Sequence, residues 1–267
     1  MKRVAWLTDL HLNFLETPAI VEFLHTVAAA DPGAVMIGGD IGDAPHLLSY
    51  LDLIEDVLRR PIFFVLGNHD YYHSSIDRVR QQVTALNEQA GYLTYLPAEG
   101  IVALGPDVAL IGHGGWGDGR LGDFLGTNVI LNDFLLIDDL KLAERDQRLA
   151  VQRALGDGAA AYVRDVLPRA LADSRRVIFL THVPPFEDAC WHGDGFAGDD
   201  FLPFFACRAV GDALTAIMAN HPDRNLLVLC GHTHSPGRAQ IRDNLLVLSG
   251  SAEYGKPIVQ RVFEVAP

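Results

Sequence analysis

Cysteine, basic side chains and long apolar runs are what this sequence has least of. Only three cysteines stand in 267 residues, Cys190, Cys207 and Cys230, an odd number without C-x-x-C spacing. That argues against a disulfide framework and a zinc ribbon. Lysine and arginine total 21 against 34 aspartates and glutamates, a formal net charge of −13. A field of that sign repels nucleic acid and anionic membrane, so no broad polyanion-binding face is expected. No uninterrupted apolar run approaches the roughly 20 residues of a membrane span. The amino-terminal stretch reaches an acidic motif at Asp9 before a secretory signal could develop, so the default location is cytoplasmic. Internal repeats, low-complexity tracts and Pro/Ser-rich linkers are also missing, and the length allows one large core. A single domain over 1–267 is therefore expected. The hydrophobic fraction of 49% and charged fraction of 21% are those of an ordinary globular protein, which argues against disorder.

What is present is a set of five short segments, each ending an apolar run with residues that bind metal. They are Asp9-Leu10-His11, Gly39-Asp40-Ile41-Gly42-Asp43, Gly67-Asn68-His69-Asp70, Thr181-His182 and Gly231-His232-Thr233-His234. Taken singly, these are weak signals. Asp-x-His recurs by chance, Gly-Asp-x-x-Asp suits a loop with a helix cap, and Asn-His occurs in plain turns. Together, each at a predicted strand end, they point to one metal-binding rim.

The periodicity supports that placement. Apolar runs over Val4–Thr8, Ala34–Ile37 and Ile62–Leu66 read as strands. Helical spacing over Pro18–Ala30 and Leu47–Leu58 lies between them. The resulting β-α-β-α-β order implies parallel strands with crossover helices. A helix over Ser74–Ala90 and a hairpin around Gly105-Pro106-Asp107 follow. Leu142–Leu171 reads as largely helical, with a break near Gly156-Asp157-Gly158 or at Pro168. Strands over Val177–Leu180 and Leu226–Leu229 flank a helix over Val210–Ala219, and three more strand-like runs close the chain. The whole predicts an α/β protein with a parallel core, an antiparallel second half and two stacked sheets covered by helices. The aperiodic 113–139 and 184–205 segments are expected to be insertions shaping a substrate pocket.

Ligands in open α/β sheets collect beyond the carboxyl ends of the strands, where all five segments fall. Glycines before Asp40, Asn68 and His232 would allow positive φ and close backbone approach there. Mixed carboxylate, amide and imidazole donors without thiolate suit Mn, Fe, Zn, Co or Ni, with Mn and Fe favoured. They disfavour an all-oxygen Ca or Mg site. The donors suffice for two neighbouring divalent ions sharing a carboxylate. Such a pair can hold a bridging hydroxide and clamp a phosphoryl group for in-line attack.

In this order the five segments resemble the calcineurin-like metallophosphoesterase superfamily, over nearly the whole span from Asp9 to His234. The resemblance implies a four-layer α/β/β/α sandwich of two mixed sheets, with a dimetal site at the strand carboxyl ends. It implies one metal held by Asp9, His11, Asp40 and His234, and a second held by Asp40, Asn68, His182 and His232. His69 is then the imidazole that protonates the leaving oxygen or stabilises the phosphoryl charge, and Asp43 the carboxylate that orients it. Protein Ser/Thr phosphatases carry Arg and Glu where this chain has Ala44 and Asp70, which disfavours a dedicated phosphoprotein phosphatase. The Asp-Leu-His-Leu and Gly-Asn-His-Asp forms look more like the bacterial phosphodiesterase branch.

Among the remaining histidines, His73 and His192 could reach substrate, and His113 with Trp116 could line the pocket rim. The expected activity is hydrolysis of a small phosphodiester such as a cyclic nucleotide, with phosphomonoester hydrolysis at the same site as the alternative. A nuclease is disfavoured by the charge. A partner-binding scaffold is disfavoured by the complete motif set.

Overall fold

The computed structural model describes residues 3–193 and 195–265. The first half alternates β1 (Arg3–Leu7), α1 (Thr17–Ala29), β2 (Ala34–Gly38), α2 (Ala44–Leu58), β3 (Ile62–Val65), α3 (Ile76–Asn87) and β4 (Leu93–Tyr95). A one-turn α4 (Leu96–Glu99) leads into the hairpin of β5 (Val102–Gly105) and β6 (Val108–Gly112). There follow α5 (Asp133–Leu136), α6 (Arg145–Asp173), β7 (Arg176–Leu180), the short pair β8 (Trp191–His192) and β9 (Gly195–Phe196), and α7 (Leu202–Phe205). The chain closes with α8 (Arg208–Ala219), β10 (Asn225–Cys230), β11 (Gly237–Arg242), β12 (Leu245–Ser249) and β13 (Arg261–Glu264).

These elements form two large mixed sheets, ordered β13-β1-β2-β3-β4 and β11-β12-β10-β7-β6-β5. Each has a parallel centre, and among the described residues antiparallel pairing within these two sheets falls at the edge strands β13, β5 and β11. The expected antiparallel second half is thus corrected. α6 and α8 return the chain to the starting edge between β6, β7 and β10, and such crossovers make neighbouring strands parallel.

Three apolar clusters give the layers. Ile20, Leu24 and Val27 of α1 and Leu47, Leu51 and Ile54 of α2 recur at helical spacing and pack on the outer face of the first sheet. Val163, Leu167 and Leu171 of α6 join Val210 and Leu214 of α8 on the outer face of the second. Between the sheets, Val4, Trp6, Met36 and Val65 meet Leu110, Ile178, Leu180 and Leu229. The order is helix, sheet, sheet, helix. The parallel strands are buried on both faces, so their sequences are continuous apolar runs.

Helix α6 runs without the expected break over 29 residues, with Pro168 inside it. Gly156 does not end the helix. It gives close approach, since a Cβ there would lie 2.6 Å from Asp118 Cβ. Sequence periodicity also missed β4, which is only three residues long, and the one-turn helices α4 and α7, whereas the short helix expected within 113–139 is α5.

Candidate metal centre

The parallel strands of both sheets finish on one rim, and the backbone turns sharply as it leaves each. Asp9, His11, Asp40, His232 and His234 account for five of the eight non-glycine residues with positive φ among those described. A left-handed backbone costs an L-residue roughly 1 to 2 kcal/mol, and such strain clusters at functional sites. Of the predicted glycine turns, Gly39 does take a positive φ of 89°. Gly67 and Gly231 serve close approach instead: a Cβ on Gly67 would lie 2.6 Å from the Asp40 nitrogen, and one on Gly231 would strike the Asp9 carboxylate.

Hydrogen bonds tie the turns to one another. Asp40 Oδ1 accepts the His69 N–H at 2.9 Å, and Asp9 Oδ1 accepts the His232 N–H at 2.9 Å. Fully buried Asp70 accepts from the Ile41, Gly42 and Gly67 amides at 2.8, 3.0 and 2.8 Å, joining the turn after β2 to the turn after β3. Burial, reinforced by the Asp40 charge, pushes the Asp70 pKa up to about 7.

Two groups of donors converge around Asp40. Ligand atoms of Asp9, His11, Asp40 and His234 all lie within 4.8 Å of one another. On the other side of the Asp40 carboxylate, His182 Nε2 lies 3.3 Å from Asp40 Oδ1, 3.1 Å from Asn68 Oδ1 and 3.2 Å from His232 Nδ1. Asp40 Oδ2 is 3.7 Å from His11 Nε2, so its two oxygens face the two groups, as a bridging carboxylate would.

The outward nitrogens of two imidazoles are already engaged. His182 Nδ1 donates to the Gly38 carbonyl at 2.9 Å, and His232 Nε2 donates to the Phe204 carbonyl at 3.1 Å. Ring nitrogens anchored this way are typical of metal-ligating histidines.

Protons alone satisfy the cluster poorly. Burial drives the His11 pKa down to about 4, and burial with the neighbouring His182 drives His232 down to about 3. Against its own burial, Asp40 is held well below the usual carboxylate range by His182 and His69. Burial likewise opposes the charging of His182, yet Asp40 lifts it to about 9. His11 Nε2 and His234 Nε2 approach to 3.0 Å, a hydrogen bond when one neutral ring carries its proton on Nε2 and a crowding of two lone pairs when both carry it on Nδ1. A cation relieves that crowding and balances the buried carboxylates. The donor set therefore fits two divalent ions.

A cavity of about 480 Å³ opens over these donors. Asn68, His69, Tyr72 and Asp133 form one wall, Phe205 and His192 another, and Tyr254 closes the rim beside His234. His69 stacks on Tyr72 at 4.3 Å between ring centroids, with Nε2 3.9 Å from Asp40 Oδ2. Its expected partnership with Asp43 is not what the structure shows. Asp43 precedes α2 and its Oδ1 lies 2.8 Å from His46 Nδ1, one helical turn on.

Of the four candidate pocket residues, His192 lines the cavity and three do not. His73 is exposed, and its backbone N–H is bonded to the Leu136 carbonyl at 2.7 Å. His113 accepts the Gly115 N–H at 3.0 Å and borders a separate hollow with Arg80 and Tyr162, because β6 delivers it behind the rim. Trp116 is buried, 5.9 Å from Tyr71. A further hollow of about 390 Å³ lies at the amino ends of β7, β10 and β12, away from the donors, and none of its described lining residues is a histidine.

Sequence reasoning missed Tyr72, Asp133, Phe205 and Tyr254. Asp133 carried a usable signal: an acid set within the apolar run Leu131-Asn132-Asp133-Phe134-Leu135-Leu136 is a candidate buried carboxylate. Tyr254 lies in an irregular segment with no such mark.

A family model described as calcineurin-like phosphoesterase matches residues 2–236. Among solved structures, the chain is similar to a phosphopantetheinyl hydrolase from Mycobacterium tuberculosis, at 17% identity and a TM-score of 0.69 over 99% of this chain and 95% of that one. It is also similar to a dimetal phosphatase from Danio rerio, at 14% identity and a TM-score of 0.56 over 94% and 87%. At these identities the likeness is one of fold. No curated protein sequence matches the chain.

Proposed function

We propose that this chain, which belongs to the calcineurin-like phosphoesterase family, is a phosphodiesterase for small diesters such as cyclic nucleotides. Membership makes it a metal-dependent phosphoester hydrolase. The preference for a diester rests on one observation: among the described residues lining the cavity, none is lysine or arginine. A terminal phosphate brings about −1.5 to −2 charges near neutral pH, and sites built for it commonly add an arginine fork. A diester brings one charge, which a dimetal centre balances without further cations. The net charge of −13 points the same way.

Asp9, His11, Asp40 and His234 would hold one ion, and Asp40, Asn68, His182 and His232 the other, with manganese or iron as the expected metals. Bound there, the pair supplies Lewis acidity toward phosphoryl oxygens and a water acidic enough to attack near neutral pH. His69 stands on the cavity wall with its ring held by the Tyr72 stack, placed to give a proton to the departing oxygen. Tyr72 takes the orienting part that Asp43 was expected to play.

The test is turnover of bis-p-nitrophenyl phosphate and p-nitrophenyl phosphate, side by side, by the Mn²⁺-loaded protein. A clear preference in kcat/KM for the diester supports the reading. Preference for the monoester replaces it with a phosphomonoesterase using the same residues.

A further inference from the structure

Asparagine is an ambiguous metal ligand. Its carbonyl oxygen and amino group are nearly the same size, so a half-turn of the amide puts a donor where a ligand oxygen should be. What surrounds the amide must decide which end faces the metal. Asn68 is buried, with a relative exposure of 6%, so its neighbours rather than solvent dominate that choice.

The deciding group comes from the 113–139 connection. Asp133 is itself buried, and its Oδ1 accepts from Asn68 Nδ2 at 2.8 Å and from the Tyr72 hydroxyl at 2.8 Å. With the amino group held there, Asn68 Oδ1 points to His182 Nε2 at 3.1 Å, among the donors shared with Asp40. Turned over, Asn68 would set its carbonyl oxygen against the Asp133 carboxylate, acceptor against acceptor. The Tyr72 proton would bring no relief, since it is already given to Asp133.

The connection is fastened at this point. The His73 N–H donates to the Leu136 carbonyl at 2.7 Å, the Asp138 N–H to the Ser74 carbonyl at 3.0 Å, and the Ile76 N–H to Asp139 Oδ2 at 2.8 Å. These bonds dock the segment against the turn that carries Asn68 and His69. A loop that walls the substrate cavity thereby also reaches a ligand of the centre.

We infer that Asp133 is a positioning residue that sets the facing of the Asn68 amide and so completes the second cation position. The inference rests on the proposed role of Asn68 as a ligand. Loss of a partner that orients a ligand typically weakens metal binding 10- to 100-fold.

The experiment is equilibrium dialysis of the full chain against Mn²⁺, with bound metal counted by atomic emission and folding checked by circular dichroism. Asp133→Leu is expected to keep one tight ion and bind the other on the order of 10- to 100-fold more weakly. Asn68→Asp is expected to do the same, because two carboxylates then oppose each other. Combining Asn68→Asp with Asp133→Asn reverses the hydrogen bond, with residue 133 now donating, and should restore the second ion to within a few-fold of wild type. A merely structural Asp133 would not produce that reciprocal rescue. If Asp133→Leu does not fold, the exchanged pair carries the test.

Tight binding of both ions by folded Asp133→Leu, or no improvement in the exchanged pair over Asn68→Asp alone, overturns the inference. Asn68→Ala separates it from the underlying reading. If that variant still binds two ions as wild type does, Asn68 is not a ligand and the ligand assignment fails. If it loses one ion while Asp133→Leu keeps both, only the role of Asp133 fails.

Discussion

Replacing Asp70 should loosen the fold and the site together. Its carboxylate is fully buried and takes three backbone amides, Ile41 and Gly42 on Oδ1 and Gly67 on Oδ2. Asp70→Ala leaves three donors without an acceptor. Each buried unpaired donor costs about 1 to 3 kcal/mol. Removing a carboxyl that its surroundings already disfavour, shown by the pKa of about 7, offsets part of that. Three donors cost about 3 to 9 kcal/mol before that offset, and a net loss of about 3 kcal/mol, the low end of the range, is taken after it. For a chain of this size that is a fall in Tm of about 6 to 12 °C.

Asp70→Asn keeps one oxygen for Ile41 and Gly42 but turns an amino group toward the Gly67 N–H, so it should lose roughly half as much. The assay is thermal and urea unfolding of metal-free protein, wild type and both variants. The same turns carry Asp40 and Asn68, so Mn²⁺ affinity should fall in the same order. An Asp70→Ala protein within 0.5 kcal/mol of wild type, a bound set by ordinary surface substitutions, would refute the reasoning. So would an asparagine variant less stable than the alanine one.

His69→Ala should lower kcat by about 10²- to 10⁴-fold with metal content unchanged, and by more for alkyl than for nitrophenyl leaving groups, which depart without a proton. Equal losses for both leaving groups would exclude His69 as the proton donor. His113 is kept neutral in the fold, with its pKa lowered by burial to about 3 from 6.5. Below pH 6.5 the unfolded chain takes up a proton that the native one refuses, so stability falls with pH, by roughly 2 kcal/mol at pH 5. The Tm of His113→Gln should therefore drop less between pH 7 and 5 than that of wild type. Burial raises the thiol pKa of Cys207 and of Cys230 to about 12, and that of Cys190 still further. Native protein at pH 8 should show no rapid reaction with a thiol reagent, and all three should react after denaturation.

The rim was legible because its strands are buried on both faces and stop abruptly. Val35-Met36-Ile37 runs into Gly38-Gly39-Asp40, and Leu227-Val228-Leu229 into Gly231-His232. Apolar continuity followed by glycine and a ligand is a one-dimensional signal. Relations between segments distant in sequence were not written that way. Asp133 meets Asn68 across 65 residues, and only the docking of the 136–139 segment on 73–76 brings them together. Asp43 lay within a recognised motif, yet its nearer neighbour His46, one helical turn on, takes its oxygen. Gly156 and Pro168 looked like breaks because local propensity weighs against them, while the packing of α6 on α8 and the second sheet holds the helix through both.

The central claim is that one buried carboxylate, Asp40, organises two cations for phosphoester hydrolysis. Titrating metal-free protein with Mn²⁺, while bound ions and diester turnover are followed in parallel, tests it most directly. The wild-type chain is expected to bind two ions, with turnover that rises with the second, and Asp40→Ala to lose both the paired binding and the turnover. Full turnover with a single ion, or turnover that survives in Asp40→Ala, would contradict the claim.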